Sequence, residues 1–275
     1  MESDANSSSA AGAQKQPAKR DAFTELLSPK TKKPKPSSTD LPKGTQKQAP
    51  NPKKPFHPRD GLGAYIEKPE TYPPNVVVYH NADFVVIHDL FPKATLHLLL
   101  LPRDATKTRL HPVEAFEDSE FLAKVKNEVK KLRALAAGEL RRLHGKYSAL
   151  DRERQDALVA EPPPDVLPKG RDWESELMCG IHAHPSMNHL HVHVISKDRY
   201  SERLKHRKHY NSFSTPFFVD IDDFPLVEGD PRRDPDRQGY LKRDFICWRC
   251  GRNYGNQFTA LKRHLKDEFD EWKRL

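Results

Sequence analysis

Residues 189–195 read His189-Leu190-His191-Val192-His193-Val194-Ile195. Strict alternation of polar and aliphatic residues is the period of a half-buried β-strand, so the aliphatic side chains should meet a core. The three histidines then share the opposite face, with neighbours about 6.5–7 Å apart, one two-residue strand repeat. A row of imidazoles does not build a core, so chemistry is expected here. Histidines at i, i+2 and i+4 on a strand face supply ligands to zinc. Alternatively, one imidazole acts as a nucleophile at phosphorus while its neighbours orient it and stabilise charge. The inert reading, three rings satisfied by backbone and water, suits one histidine better than three in register.

The chain of 275 residues is 36% hydrophobic and 31% charged, with 24 Pro against 12 Gly, so part of it is expected not to pack. Twelve Lys/Arg and six Asp/Glu fall in residues 1–60, which therefore carry +6 of the formal net charge of +8. This basicity suits a polyanionic partner. No apolar run is long enough to cross a bilayer, and the first residues lack a signal-peptide core. Three cysteines, Cys179, Cys247 and Cys250, argue for thiols or metal ligands over a disulfide framework. The expected compartment is the nucleus or cytosol, and the expected state is a monomer.

Residues 1–55 are rich in Ala, Ser, Gln, Lys and Pro, so they are expected to be disordered. Within them, residues 23–27 are a candidate docking helix and residues 28–35 a candidate nuclear-import signal. Order is expected from residue 56, with a short apolar segment at 61–66 stopped by Pro69. Strands are expected at 76–79, 84–87 and 96–101, the first two forming a hairpin. Apolar residues from 113 to about 144 recur at helical spacing and predict one long amphipathic helix. Residues 147–174, with three consecutive prolines, predict an insertion or loop; 200–219 an irregular basic and aromatic segment; 220–243 a linker; and 244–275 a separate small module.

That last module reads Cys247-Trp248-Arg249-Cys250, then His264 after thirteen residues. A Cys-x-x-Cys pair offers two thiolates to one tetrahedral zinc, and a downstream helix supplies the remainder. Glu268 occupies the slot where a second histidine is usual, and Asp267 is a near alternative. Upstream, Arg203, Lys205, Arg207 and Lys208 are interleaved with His206, His209, Tyr210 and Phe213, which suits phosphate contact beside base or sugar stacking.

The histidine row resembles the signature of the histidine-triad (HIT) superfamily of nucleotidyl hydrolases and transferases. Residues 88–102 resemble its nucleoside-binding strand-loop-strand. The resemblance is closest to the aprataxin branch. The run Gly180-Ile181-His182-Ala183-His184-Pro185-Ser186-Met187 leads into the row, the 204–213 segment follows it, and a zinc-finger-like module comes last. The basic tail stands where animal members carry a forkhead-associated domain, as in fungal-type members. The implied fold is α+β: a HIT-like antiparallel sheet with flanking helices over 56–219, plus a small ββα-like finger.

The resemblance also implies roles. His191 is the nucleophile, His193 and Ser186 stabilise phosphoryl oxygens, and His182 assists the leaving group. Asp89 contacts ribose hydroxyls and Leu90 walls the base. Lys93, His97, Met187 and His189 line the nucleotide site. Lys205, His206, His209, Lys208 and Arg203 contact DNA, and zinc sits on Cys247, Cys250, His264 and Glu268. The implied reaction is removal of AMP, the product ligand, from 5′-adenylated DNA left by abortive ligation in single-strand break repair. It uses no catalytic metal. The substrates are adenylated nicks or breaks, with RNA–DNA junctions a further candidate, and removal of 3′-guanylyl caps is another activity of the branch. Two other functions compete: a general dinucleotide or nucleoside phosphoramidate hydrolase, and a zinc-finger DNA-binding protein whose HIT body only holds nucleotides.

Overall fold

Alternation along the strands builds a sheet with two unlike faces. A computed structural model describes residues 57–275; the 1–55 tail, with its docking-helix and import-signal readings, lies outside the described residues. After the short helix α1 (Gly63–Glu67) come β1 (Val77–His80), β2 (Phe84–His88) and β3 (His97–Pro102). Helices α2 (Pro112–Ala115), α3 (Ser119–His144) and α4 (Ala149–Val159) follow. Then come β4 (Leu177–His182), β5 (Val192–Ser196), α5 (Arg207–Ser214), β6 (Phe218–Asp220), α6 (Pro235–Gln238) and α7 (Phe258–Trp272). The six strands form one antiparallel sheet in the order β1-β2-β3-β5-β4-β6.

Phe84, Val86, Leu98, Leu100, Val192 and Val194 point to one face, where α3 covers them with Phe121, Val125, Val129, Leu132 and Leu140 in the main core. The residues between them point the other way. Val85, Ile87, Leu99 and Leu101 pack under Leu62 and Ile66 beside α1. Farther along the same face stand His97, His182 and His193. The fold thus places an apolar floor and a histidine cluster side by side on the face that α3 leaves free.

Several expected boundaries are corrected. The long helix is two helices, because the Asp118 carboxylate accepts the Phe121 N–H at 3.0 Å and starts α3 afresh. The 147–174 insertion contains α4, which Ser148 caps by accepting the Asp151 N–H at 3.3 Å. The irregular 200–219 segment supplies α5 and β6. The expected linker is packed: Ile221, Phe224 and Leu226 join the main core. Residues 189–195 are strand only from Val192 onward, and His189 lies on a bend.

The finger is docked within the same compact unit as the sheet. Phe245, Cys247, Leu261 and Leu265 share a cluster with Leu204 and Tyr210. The Tyr210 hydroxyl donates to Ile246 O at 2.8 Å and accepts from the Trp248 N–H at 3.0 Å. At the end of α7, Trp272 is buried in the main core and its indole N–H donates to Glu176 at 2.6 Å. The Arg171 guanidinium lies 4.3 Å from the Trp173 ring and 4.8 Å from the Trp272 ring, and it donates to Trp272 O at 2.6 Å. The Trp272→Ala variant is therefore expected to lose about 3–5 kcal/mol, the usual cost of truncating a buried tryptophan. Urea denaturation measures it, and a loss below about 1 kcal/mol contradicts the docking described here.

Candidate active site and zinc finger

Two backbone groups fix which ring nitrogens carry protons. His191 Nδ1 lies 2.7 Å from His189 O, an obligate acceptor, so Nδ1 holds the proton and Nε2 keeps a lone pair. The Lys93 N–H, an obligate donor, reaches His97 Nδ1 at 3.2 Å, so the His97 proton is on Nε2. That Nε2–H donates to His193 Nδ1 at 2.9 Å, leaving a proton on His193 Nε2, which is buried with no partner among the described residues. The His191 and His193 rings meet edge to face, 4.9 Å apart. The result is a lone pair on His191 beside a free N–H on His193.

Gly180 and two aromatic rings complete the setting. Gly180 pairs with both His193 and Asp220, and a Cβ there would lie 2.2 Å from Val219 O and under 3 Å from the Phe218 ring. Only glycine permits that approach. Phe213, on α5, turns its edge to His97 and His193 at 5.4 and 5.2 Å and leans on His182 at 4.6 Å. No helix signal in the sequence marked Phe213 as a wall of the site.

Burial holds all these imidazoles neutral. It pushes His97 down to about 4, an effect the nearby Asp89 carboxylate opposes. His182 and His193 lie well below the ordinary value through burial and then through their histidine neighbours; His191 is lowered by burial too. The folded protein therefore binds fewer protons than the unfolded chain between about pH 4 and the ordinary histidine value of 6.5. Stability from these groups is full above 6.5 and falls as the pH drops through that window. The denaturant midpoint should decline from pH 7 to pH 4; a flat profile contradicts neutral buried histidines.

The other expected residues divide. Asp89 Oδ2 lies 3.4 Å from His97 Nδ1, and its Oδ1 accepts the Phe91 N–H at 2.7 Å. Leu90 is exposed beside them, and Met187 packs on the apolar floor. Ser186 is exposed on the loop before the row. His189 departs from the expected row: its ring turns to α1, where a Cβ on Gly63 would stand 3.0 Å away. Arg203, Lys205, His206 and Lys208 are exposed around the start of α5. His209, pushed down to about 4 by burial and then by Lys93, joins this basic edge to the site. Arg207 instead donates to Arg243 O at 2.6 Å and packs over Phe245.

The metal reading of the row fails on geometry. Among the described residues, the two clusters able to hold an ion are Asp89 with His97 and His193, and Cys247 with Cys250, His264 and Glu268. In the first, Asp89 lies at His97 Nδ1 and His193 at His97 Nε2, opposite edges of one ring. The second cluster fits zinc. Cys250 Sγ and His264 Nε2 are 3.1 Å apart, and Glu268 Oε1 is 3.0 Å from the same nitrogen. All four donor atoms lie within 4.8 Å of one another. Glu268 is buried whereas Asp267 is exposed, which decides between the two carboxylates. Arg249 holds the other Glu268 oxygen at 2.5 Å. Cys179 sits in the main core, far in function from this group.

Known proteins carry the same combination. Residues 70–200 match the HIT domain model, and residues 214–271 match the C2HE / C2H2 / C2HC zinc-binding finger model. The finger match begins well ahead of residue 244. An aprataxin-like protein of Schizosaccharomyces pombe is 35% identical over 261 residues, 92% of this chain and 94% of its own. One from Saccharomyces cerevisiae is 38% identical over 216 residues, 77% of this chain and 96% of its own. The crystal structure of the aprataxin ortholog Hnt3 in complex with DNA superposes with a TM-score of 0.61 at 34% identity, covering 78% of this chain and 96% of that one. With its histidine cluster, its C2HE finger and this likeness along nearly its whole length, the chain belongs to the aprataxin family of HIT-domain hydrolases.

Proposed function

We propose that this protein removes AMP from 5′-adenylated DNA ends and so acts in the repair of single-strand breaks, in the nucleus. The observation that carries the proposal is the free lone pair on His191 Nε2 beside the unpartnered His193 N–H. Likeness to Hnt3, solved with DNA and guanosine, supports a nucleic-acid substrate. The exposed cations around α5 supply phosphate contacts beside the histidines.

The chemistry follows from the tautomers. His191 Nε2 attacks the AMP phosphorus; a P–N bond forms as the P–O bond to the DNA 5′-phosphate breaks, and that phosphate leaves with the electron pair. The His189 carbonyl steadies the developing imidazolium through Nδ1–H. His193 Nε2–H and Ser186 donate to the phosphoryl oxygens as charge builds. The leaving group is a phosphate monoester, whose second pKa is about 6, so it departs without a strong acid. Neutral His182 needs only to donate a hydrogen bond. Water then attacks the same phosphorus, breaks the P–N bond and yields AMP while its proton passes to solvent. Asp89 and the apolar floor hold the adenosine. When bound, zinc fixes the fold of the finger; Cys247, Cys250, His264 and Glu268 would hold it.

The test is AMP release from a 5′-adenylated nick, run beside release from diadenosine tetraphosphate and a guanylyl-capped 3′ end. The proposal expects the nick to be the preferred substrate and the protein to act as a monomer. Turnover of the dinucleotide alone overturns it in favour of a general HIT hydrolase.

A further inference from the structure

The loop that carries Ser186 has no secondary structure between Ala183 and His191, yet the chemistry needs it fixed to within a fraction of an ångström. Its supports come from elsewhere in the chain. Arg59 Nε–H donates to Ser186 O at 2.8 Å, and Arg59 Nη2 reaches Pro185 O at 3.4 Å. The Asn188 N–H donates back to Arg59 O at 2.9 Å, and its side-chain amide donates to Asp60 Oδ1 at 2.9 Å. Arg109 closes the far side by pairing with the same Asp60 oxygen at 3.0 Å. Gly63 lets α1 approach His189 closely, since a Cβ there would stand 3.0 Å from the ring. Arg59 and Asp60 precede residues 70–200, the span that matches the HIT domain model.

This arrangement has an electrostatic consequence. In a trans peptide the carbonyl and the next N–H point in opposite directions. Pinning the oxygens of Pro185 and Ser186 on one guanidinium therefore turns the N–H groups of Ser186 and Met187 away from Arg59. Neither N–H has an acceptor among the described residues. Two successive free N–H groups beside a serine hydroxyl form a cradle for a phosphoryl oxygen. We infer that Arg59 and Asp60 are positioning residues that clasp the 185–188 loop so that Ser186 and these amides face the reacting phosphate. The inference rests on the reading of Ser186 and His191 above.

Arg59 is exposed, so its replacement tests the role without collapsing the core. The variants Arg59→Ala and Asp60→Ala are assayed with adenosine 5′-phosphoramidate, which carries no DNA, and with an adenylated nick. The clasp predicts a kcat about 10–100-fold lower on the small substrate, an unchanged KM, and a thermal midpoint close to that of wild type. In a Ser186→Ala background the Arg59→Ala change should cost much less, because both act on one loop. Hydrogen exchange at amides 184–191 should quicken in Arg59→Ala, a readout that needs no substrate. Unchanged small-substrate kcat with a raised KM for DNA makes Arg59 a DNA contact and overturns the clasp. Unchanged exchange at 184–191, or full additivity with Ser186→Ala, overturns it too. If wild type turns over the phosphoramidate but not adenylated DNA, the proposed function falls while the clasp is still judged by the small substrate.

Discussion

Replacing His191 with alanine is expected to lower AMP release by about 10⁴–10⁶-fold, the scale on which losing a nucleophile acts, while DNA affinity stays near wild type. The size follows from what else remains. His193 Nε2–H, Ser186 and the loop amides still hold the phosphate, but the lone pair on His191 Nε2 beside them is gone. His193 points its own lone pair at His97, and that pairing is fixed in turn by the Lys93 N–H. His193→Ala and Ser186→Ala remove donors rather than the nucleophile, so each should cost about 10²–10³-fold. Single-turnover assays on an adenylated nick measure all three. If His193→Ala proves the most damaging of the three, the tautomer chain assigned here is reversed.

Stripping zinc, by chelation or by Cys247→Ser, is the second large effect expected. Structural zinc contributes about 10–16 kcal/mol of apparent folding free energy to finger peptides, comparable to a small domain's whole stability. The damage should spread beyond the finger, because Phe245, Leu261 and Leu265 pack on Leu204 and Tyr210, and Trp272 sits in the main core. We expect one zinc per chain, a marked fall in thermal midpoint on its removal, and at least a tenfold loss of DNA affinity (~1.4 kcal/mol). Two zincs per chain would put metal on the histidine cluster, against the geometry found there. An unchanged midpoint after chelation would mean that the finger folds on its apolar contacts alone.

The sequence was legible where one physical signal dominated. The β-branched runs gave β1 and β2, the leucine run gave β3, and the Cys-x-x-Cys pair with His264 located the finger. It was least legible where packing came from residues far apart in the chain. The α4 helix is polar along most of its length and is fixed by Asp151, which accepts from the Trp173 indole at 2.8 Å and the Arg171 N–H at 3.1 Å. Ile221, Phe224 and Leu226 are single apolar residues in an acidic, proline-bearing stretch, so no periodicity announced their burial. The histidine alternation predicted the face of His191 and His193 but not the turn of His189 toward α1. That turn depends on Gly63, 126 positions upstream. The Arg59 clasp was hidden for the same reason.

In the proposed reaction His191 forms a covalent bond to the adenylyl phosphorus. The direct measurement is acid-free rapid quench of wild type with adenylated DNA, followed by intact-mass and peptide mapping under alkaline conditions that preserve phosphoramidates. An AMP adduct on His191 Nε2 is expected to form and decay at rates consistent with turnover, with none in His191→Ala. An adduct on any other residue, or His191→Ala turning over at the wild-type rate, would contradict it.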